Sequence, residues 1–188
     1  SFTDSKNTIA AIHIVRDPRN VVTSLSNHYQ INKNEAFDFM KNEKKALIEK
    51  KNNKFLGFVP LFSWKFHQES WSECKKFPVL TIRYEDLQAD TFKTFKSILN
   101  FLRDTTNSNI DINSDKINQV IKSCEFEKLQ KLEKDGGFKE ALVSKKTNEK
   151  IKFFNLGKKN DFRNLLDKKM INEMTEFYKD QIKKYKYE

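Results

Sequence analysis

The stretch Ile12-His13-Ile14-Val15-Arg16-Asp17-Pro18-Arg19-Asn20-Val21-Val22-Thr23-Ser24 constrains the fold more than any other part of the chain. In it an apolar run ends in a charged turn and continues as a helix. Ile12, Ile14 and the adjacent Val15 predict a short buried strand. Asp17-Pro18 predicts a helix start, with Asp as N-cap and Pro preset at the first helical position. Arg16 then sits at the strand's carboxyl end, where open α/β sheets bind ligands. Residues advance about 100° each around a helix, so Ser24 returns two turns later to the side of the cap at Asp17. A guanidinium and a hydroxyl can then share one phosphate. An ordinary strand-to-helix turn with a surface arginine satisfies the same spacing.

No repeat and no linker divides the 188 residues, so residues 1–188 are expected to form a single domain. After a first helix over about 18–29, Asn34 is read as the cap of a helix reaching about Lys50, with Phe37, Met40, Leu47 and Ile48 on its apolar side. Lys51-Asn52-Asn53-Lys54 reads as a loop. Pro60 reads as the start of a helix whose Leu61, Phe62, Trp64, Phe66, Trp71 and Cys74 form a core face. Phe77 to Tyr84 predicts a second strand, buried at Val79, Leu80 and Ile82 and ending in the turn Glu85-Asp86. Asp90 caps a helix with Phe92, Phe95, Ile98, Leu99 and Leu102 at helical spacing, and Ser114 starts another through Cys124. Phe126 to Leu132 continues or bends that helix, and Gly136-Gly137 interrupts the pattern. Residues 134–152 are polar and read as a mobile loop or lid, and a last helix begins at Asp167. Strand, helix, strand, helix is the order of an α/β fold, with a parallel sheet and flanking helices.

Composition narrows the function classes. Charged residues at 33% indicate a soluble chain, and no apolar run approaches the roughly 20 residues of a membrane helix. No membrane partner is expected. Cys74 and Cys124, both placed in amphipathic helices, read as reduced core thiols, which fits a cytoplasmic setting. A net charge of +10 admits nucleic acid, a membrane surface or a small anion. The aromatics fall on apolar helix faces rather than between the basic residues, so a basic nucleic-acid-binding protein is the weaker alternative. His13, His28 and His67 lack a second His or Cys at ligand spacing, and no metal is expected.

The string RDPRNVVTS followed by SNHY resembles the 3′-phosphate-binding motif of the sulfotransferase family, which uses 3′-phosphoadenylyl sulfate as donor. The resemblance implies that Arg16 and Ser24 hold the donor's 3′-phosphate. Tyr84-Glu85-Asp86-Leu87 is similar to the family's Y-E-D-L turn, whose Tyr contacts the adenine. Ser123-Cys124-Glu125-Phe126 is similar to the segment in which a Phe packs on that ring beside a small residue. This places Phe126 and Cys124 at the base. Phe153 to Arg163 resembles the family's C-terminal loop, F-x-R-K-G-x-x-G-D-W. Gly157 and Asp161 are kept, Asn155 and Leu156 stand where Arg and Lys bind phosphate, Asn160 replaces the second Gly, and Phe162 replaces the Trp. Lys158 or Lys159 is the candidate to replace the lost charge, as a point charge rather than a fork.

The resemblance covers nearly the whole chain and implies the family's P-loop-NTPase-like parallel α/β sheet. It also implies sulfuryl transfer to a hydroxyl or amine of a small-molecule or glycan acceptor, with 3′-phosphoadenosine 5′-phosphate (PAP) as product. One departure stands out: the 188 residues contain no G-x-x-x-x-G-K-[ST] and no Gly-rich turn after a strand. The family's catalytic base has no counterpart before Ile12 either. The chain is therefore expected to be the C-terminal part of a sulfotransferase domain, without its first strand and phosphate loop, to be weakly active alone, and to self-associate. A non-catalytic module binding 3′,5′-bisphosphate nucleotides is the second reading.

Overall fold

A computed structural model describes residues 4–51, 54–139, 141–144 and 147–187, with side chains left out for 49–51 and 54–56. The described chain forms two compact units. The first holds Ser1–Arg16, Trp71–Ala141 and Lys152–Gly157, and the second holds Asp17–Ser70, Leu142–Ile151 and Lys158–Glu188. The elements in chain order begin with β1 (Ala11–Val15), α1 (Pro18–Tyr29), α2 (Lys33–Lys41), β2 (Ala46–Lys51), β3 (Lys54–Pro60) and α3 (Trp64–Ser72). They continue with β4 (Val79–Arg83), α4 (Tyr84–Ala89), α5 (Thr91–Thr106), α6 (Ser114–Ser123) and α7 (Phe126–Gly136). The chain closes with α8 (Phe162–Leu165), α9 (Lys168–Phe177) and α10 (Lys179–Lys184). No helix among the described residues is long and apolar enough to cross a membrane.

In the first unit β1 and β4 pair in parallel, as the element order predicts, with Ile14 opposite Ile82 and Val15 opposite Arg83. The face of β1 differs from expectation. Ile12 and Ile14 are 38% and 52% exposed, while His13 and Val15 are buried. A strand alternates sides at every residue, so His13 and Val15 share the covered side and Ile12 and Ile14 the other. His13 takes the covered side because its ring stacks on Trp71 and its Nδ1 meets the Thr81 hydroxyl at 3.4 Å. Asp90 caps α5 by accepting from the Lys93 N–H at 2.9 Å. α6 and α7 are separate helices, and α7 ends at Gly137, whose φ of 74° few other residues adopt. Neither cysteine lies inside a helix: Cys74 follows α3, and Cys124 caps α6 as an exposed thiol rather than a core one.

In the second unit the Asp17 carboxylate accepts from the Arg19 N–H at 2.9 Å and caps α1 as predicted. Helix α2 is capped two residues before Asn34, by a capping box in which Asn32 and Glu35 each bond the other's backbone N–H. It stops at Asn42, and Leu47 and Ile48 belong to an antiparallel β2–β3 pair instead of a helix. The helix-forming Lys and Glu of 43–50 are outweighed by pairing with the β-prone Phe55 to Val59 segment, a partner that no local window contains. The loop expected at 51–54 is paired at both ends, Lys51 opposite Lys54, and residues 52 and 53 lie outside the described residues. Pro60 closes β3 rather than opening a helix. α3 begins at Trp64, with Phe66 half exposed and Gln68 buried, so its aromatic face is only partly core. Within the expected lid Val143 pairs with Lys150, and Ser144 Oγ donates to Gln30 Oε1 at 2.6 Å, while residues 140, 145 and 146 lie outside the described residues.

The core of this unit gathers Val22, Ala36, Phe37, Met40, Phe162, Leu166, Met170, Met174 and Tyr178, with Trp64 packed against it. Tyr178 divides the predicted last helix into α9 and α10 and is fully buried, edge-on to Trp64 with 5.0 Å between ring centres. Its hydroxyl has no hydrogen-bond partner among the described residues. Burial pushes the phenol's pKa well above its ordinary value. A folded-state pKa raised in this way leaves stability intact below about pH 10 and removes it as pH rises beyond that value. Tyr178→Phe deletes an unsatisfied buried hydroxyl at almost constant volume. The variant is expected to match or exceed the wild type by up to about 1 kcal/mol at pH 7 and to lose less stability above pH 10. Thermal melts across that range check this, and a variant clearly less stable at pH 7 would mean the hydroxyl has a partner.

Candidate functional site

The parallel register explains the first cluster of candidate residues. Val15 lies opposite Arg83, so Arg16 and Tyr84 are the next residues beyond the carboxyl ends of two adjacent strands. The Arg16 guanidinium sits over the Tyr84 ring, 4.3 Å from its centre. Such a stack holds the planar cation by the negative face of the ring. The neighbouring Arg83 pairs with Asp86 at 3.0 Å, across the first turn of α4. Its charge is therefore paired locally, and Arg16 rests on an aromatic platform. Sequence reading placed both residues at strand ends but did not foresee the stack, because it requires the register.

A second cluster forms where the loop 153–157 lies on α7. Glu133 accepts from the Phe153 and Phe154 N–H groups at 2.6 and 3.0 Å, and Gln130 Nε2 donates to the carbonyls of Phe154 and Asn155 at 2.8 and 3.2 Å. Phe126 meets Phe154 edge-on at 6.4 Å. Phe126, Gln130 and Glu133 are spaced i, i+4, i+7, which puts them on one face of α7. That spacing is a signal in the sequence, whereas the expectation for Phe126 comes from the family resemblance and does not include Gln130 and Glu133. Gly157 closes the loop with φ of 55°, and a Cβ there would lie 2.7 Å from Phe126 Cε1. Asn155 and Leu156 are half-buried in this loop and bring no charge to it, and Cys124 is exposed at the end of α6.

In the second unit Ser24 is exposed on α1, and Lys158 is exposed in the 3-10 turn Gly157–Lys159. Asn160, buried just after that turn, reaches α1. Its Nδ2 donates to Ser24 Oγ at 2.7 Å and to the Asn20 carbonyl at 3.2 Å, and its Oδ1 accepts from the Thr23 hydroxyl. Asn20 Oδ1 accepts from the Phe162 N–H at 2.8 Å. Arg19 is structural: it pairs with Asp17 at 2.7 Å with both side chains buried, and its guanidinium covers the Phe162 ring at 4.1 Å. Phe162 is thus a platform for a buried cation as well as a core residue.

A family model described as a sulfotransferase domain matches residues 2–186. No curated protein matches the chain. Among solved structures, mouse sulfotransferase SULT7A1 complexed with PAP is similar over 91% of this chain, at 19% sequence identity and a TM-score of 0.56. The matched region is 57% of that chain's length. This likeness bears on the fold, an α/β architecture with a parallel strand pair and flanking helices.

Proposed function

The chain belongs to the sulfotransferase domain family, and on that premise we propose that it carries the nucleotide-recognition part of an enzyme that moves a sulfuryl group from 3′-phosphoadenylyl sulfate to a hydroxyl or amine acceptor. The observation that carries this reading is the Arg16 guanidinium held on Tyr84 beyond two parallel strand ends, since a phosphate dianion asks for a preorganised planar fork at such a place. Arg16 and the Ser24 hydroxyl take the 3′-phosphate. Tyr84 and Phe126 contact the adenine, with Cys124 beside it, and stacking on such rings contributes about 1–3 kcal/mol per base. The loop of Asn155, Leu156 and Gly157, held to α7, supplies backbone and shape, and Lys158 supplies a point charge. Residues 1–188 act as one domain in this role. Two free thiols fit a cytoplasmic protein.

In-line transfer breaks the donor's S–O bond to the phosphate as the acceptor oxygen or nitrogen attacks sulfur, with a base taking the acceptor's proton. Arg16 and Ser24 act remotely from that bond. They fix the nucleotide so that the leaving phosphate is aligned, which is how binding energy from a non-reacting group serves a reaction. Calorimetric titration tests the assignment: PAP is expected to bind at least about tenfold tighter than adenosine 5′-phosphate, the value of one charge-assisted contact set. Equal affinity for the two nucleotides would remove the 3′-phosphate site from this chain.

A further inference from the structure

We infer that Asn160 is a positioning residue that sets the Ser24 hydroxyl as a hydrogen-bond donor toward the 3′-phosphate, a role that rests on the nucleotide reading above. The orientation of its amide follows from chemistry. The Asn20 carbonyl can only accept, so the Asn160 atom 3.2 Å from it is the NH2 group, and the same nitrogen therefore donates its other hydrogen to Ser24 Oγ at 2.7 Å. With the amide so oriented its oxygen faces the Thr23 hydroxyl, which can donate to it. The amide is buried and fully committed, whereas Ser24 is exposed. Having accepted from Asn160, the Ser24 oxygen keeps its own proton, whose internal contact is to the Asn20 carbonyl at 3.4 Å. That carbonyl lies closer to Asn160 Nδ2 at 3.2 Å and to the Thr23 hydroxyl at 2.7 Å. The Ser24 proton is thus the least engaged of the cluster, and a stronger outside acceptor can take it from its 3.4 Å contact. A phosphate dianion, which only accepts, is the matching ligand.

The glycine that the resemblance places at this position has no side chain to do this, so Asn160 adds a determinant of nucleotide choice rather than filling space. The test compares PAP with adenosine 5′-phosphate on the full 188-residue chain, in wild type, Asn160→Asp, Asn160→Ala, Ser24→Ala and the Ser24→Ala/Asn160→Ala double variant. Aspartate would draw the Ser24 proton inward and add a negative charge. Asn160→Asp is expected to lower PAP affinity about tenfold or more, with adenosine 5′-phosphate affinity changed less than about threefold. Asn160→Ala is expected to cost PAP a smaller factor of about three, and nothing further once Ser24 is already alanine. Circular dichroism melts keep the result separate from unfolding, since a merely structural residue would weaken both nucleotides alike. A wild type that prefers PAP but keeps its preference in both Asn160 variants overturns this inference alone. A wild type with no preference overturns the nucleotide reading, and the inference with it.

Discussion

Arg16→Ala is expected to reduce affinity for PAP by about ten- to a hundredfold, the range of a charge-assisted contact worth roughly 1.5–3 kcal/mol. The loss should be confined to the 3′-phosphate, leaving adenosine 5′-phosphate binding nearly unchanged. Arg16→Lys is expected to recover little of it. An ammonium cannot make a planar fork, and it cannot lie flat at 4.3 Å on the Tyr84 ring as the guanidinium does. The platform itself is testable through Tyr84→Phe and Tyr84→Ala. Phenylalanine keeps the face and should bind PAP nearly as the wild type does. Alanine releases the guanidinium and removes the proposed adenine contact, so it should weaken both nucleotides, PAP the more. Calorimetry with the two nucleotides separates these outcomes. Unchanged PAP binding by Arg16→Ala would assign that guanidinium to the fold alone.

Gly157→Ala should be the most damaging single-atom change in the loop. Its φ of 55° costs an L-residue roughly 1–2 kcal/mol, and its new Cβ would sit 2.7, 2.8 and 2.9 Å from three atoms of the Phe126 ring. That ring is bounded by Phe154, which in turn touches Phe138 at 5.2 Å, so it cannot turn aside without unpacking the aromatic group. Together the two effects are worth roughly 2–4 kcal/mol of loop docking. The measurable sign is faster hydrogen exchange at the Phe153 and Phe154 amides, which Glu133 holds. A Phe126→Ala/Gly157→Ala double variant should recover the steric part and keep only the backbone strain. Exchange at wild-type rates in Gly157→Ala would show that the loop is not held by this contact.

The residues legible in the sequence were those whose role is local. Asp17, Asp90 and Asp167 could be read as caps because a cap bonds a backbone N–H only two or three positions away. Val15 and Arg16 could be placed at a strand end because an apolar run and a Pro-started helix flank them. Residues whose role depends on a distant partner were illegible. Nothing near Leu47 states that it pairs with Val59, and nothing near Asn160 states that its amide reaches Ser24. Gln130 and Glu133 read as ordinary helix surface until the loop that lies on them is known.

By itself, then, the sequence determined the two parallel strands and the helices that follow them, the position of Arg16 and Tyr84 at strand ends, and the motifs that mark the family. Each is written in a window shorter than one element. Tertiary structure alone decided which face of β1 is covered, that residues 46–60 pair as strands, and what the Arg16 guanidinium and the Ser24 hydroxyl each touch. Those outcomes are set by contacts between residues tens of positions apart, where burial and hydrogen-bond satisfaction outweigh the sub-kilocalorie preferences of any local segment.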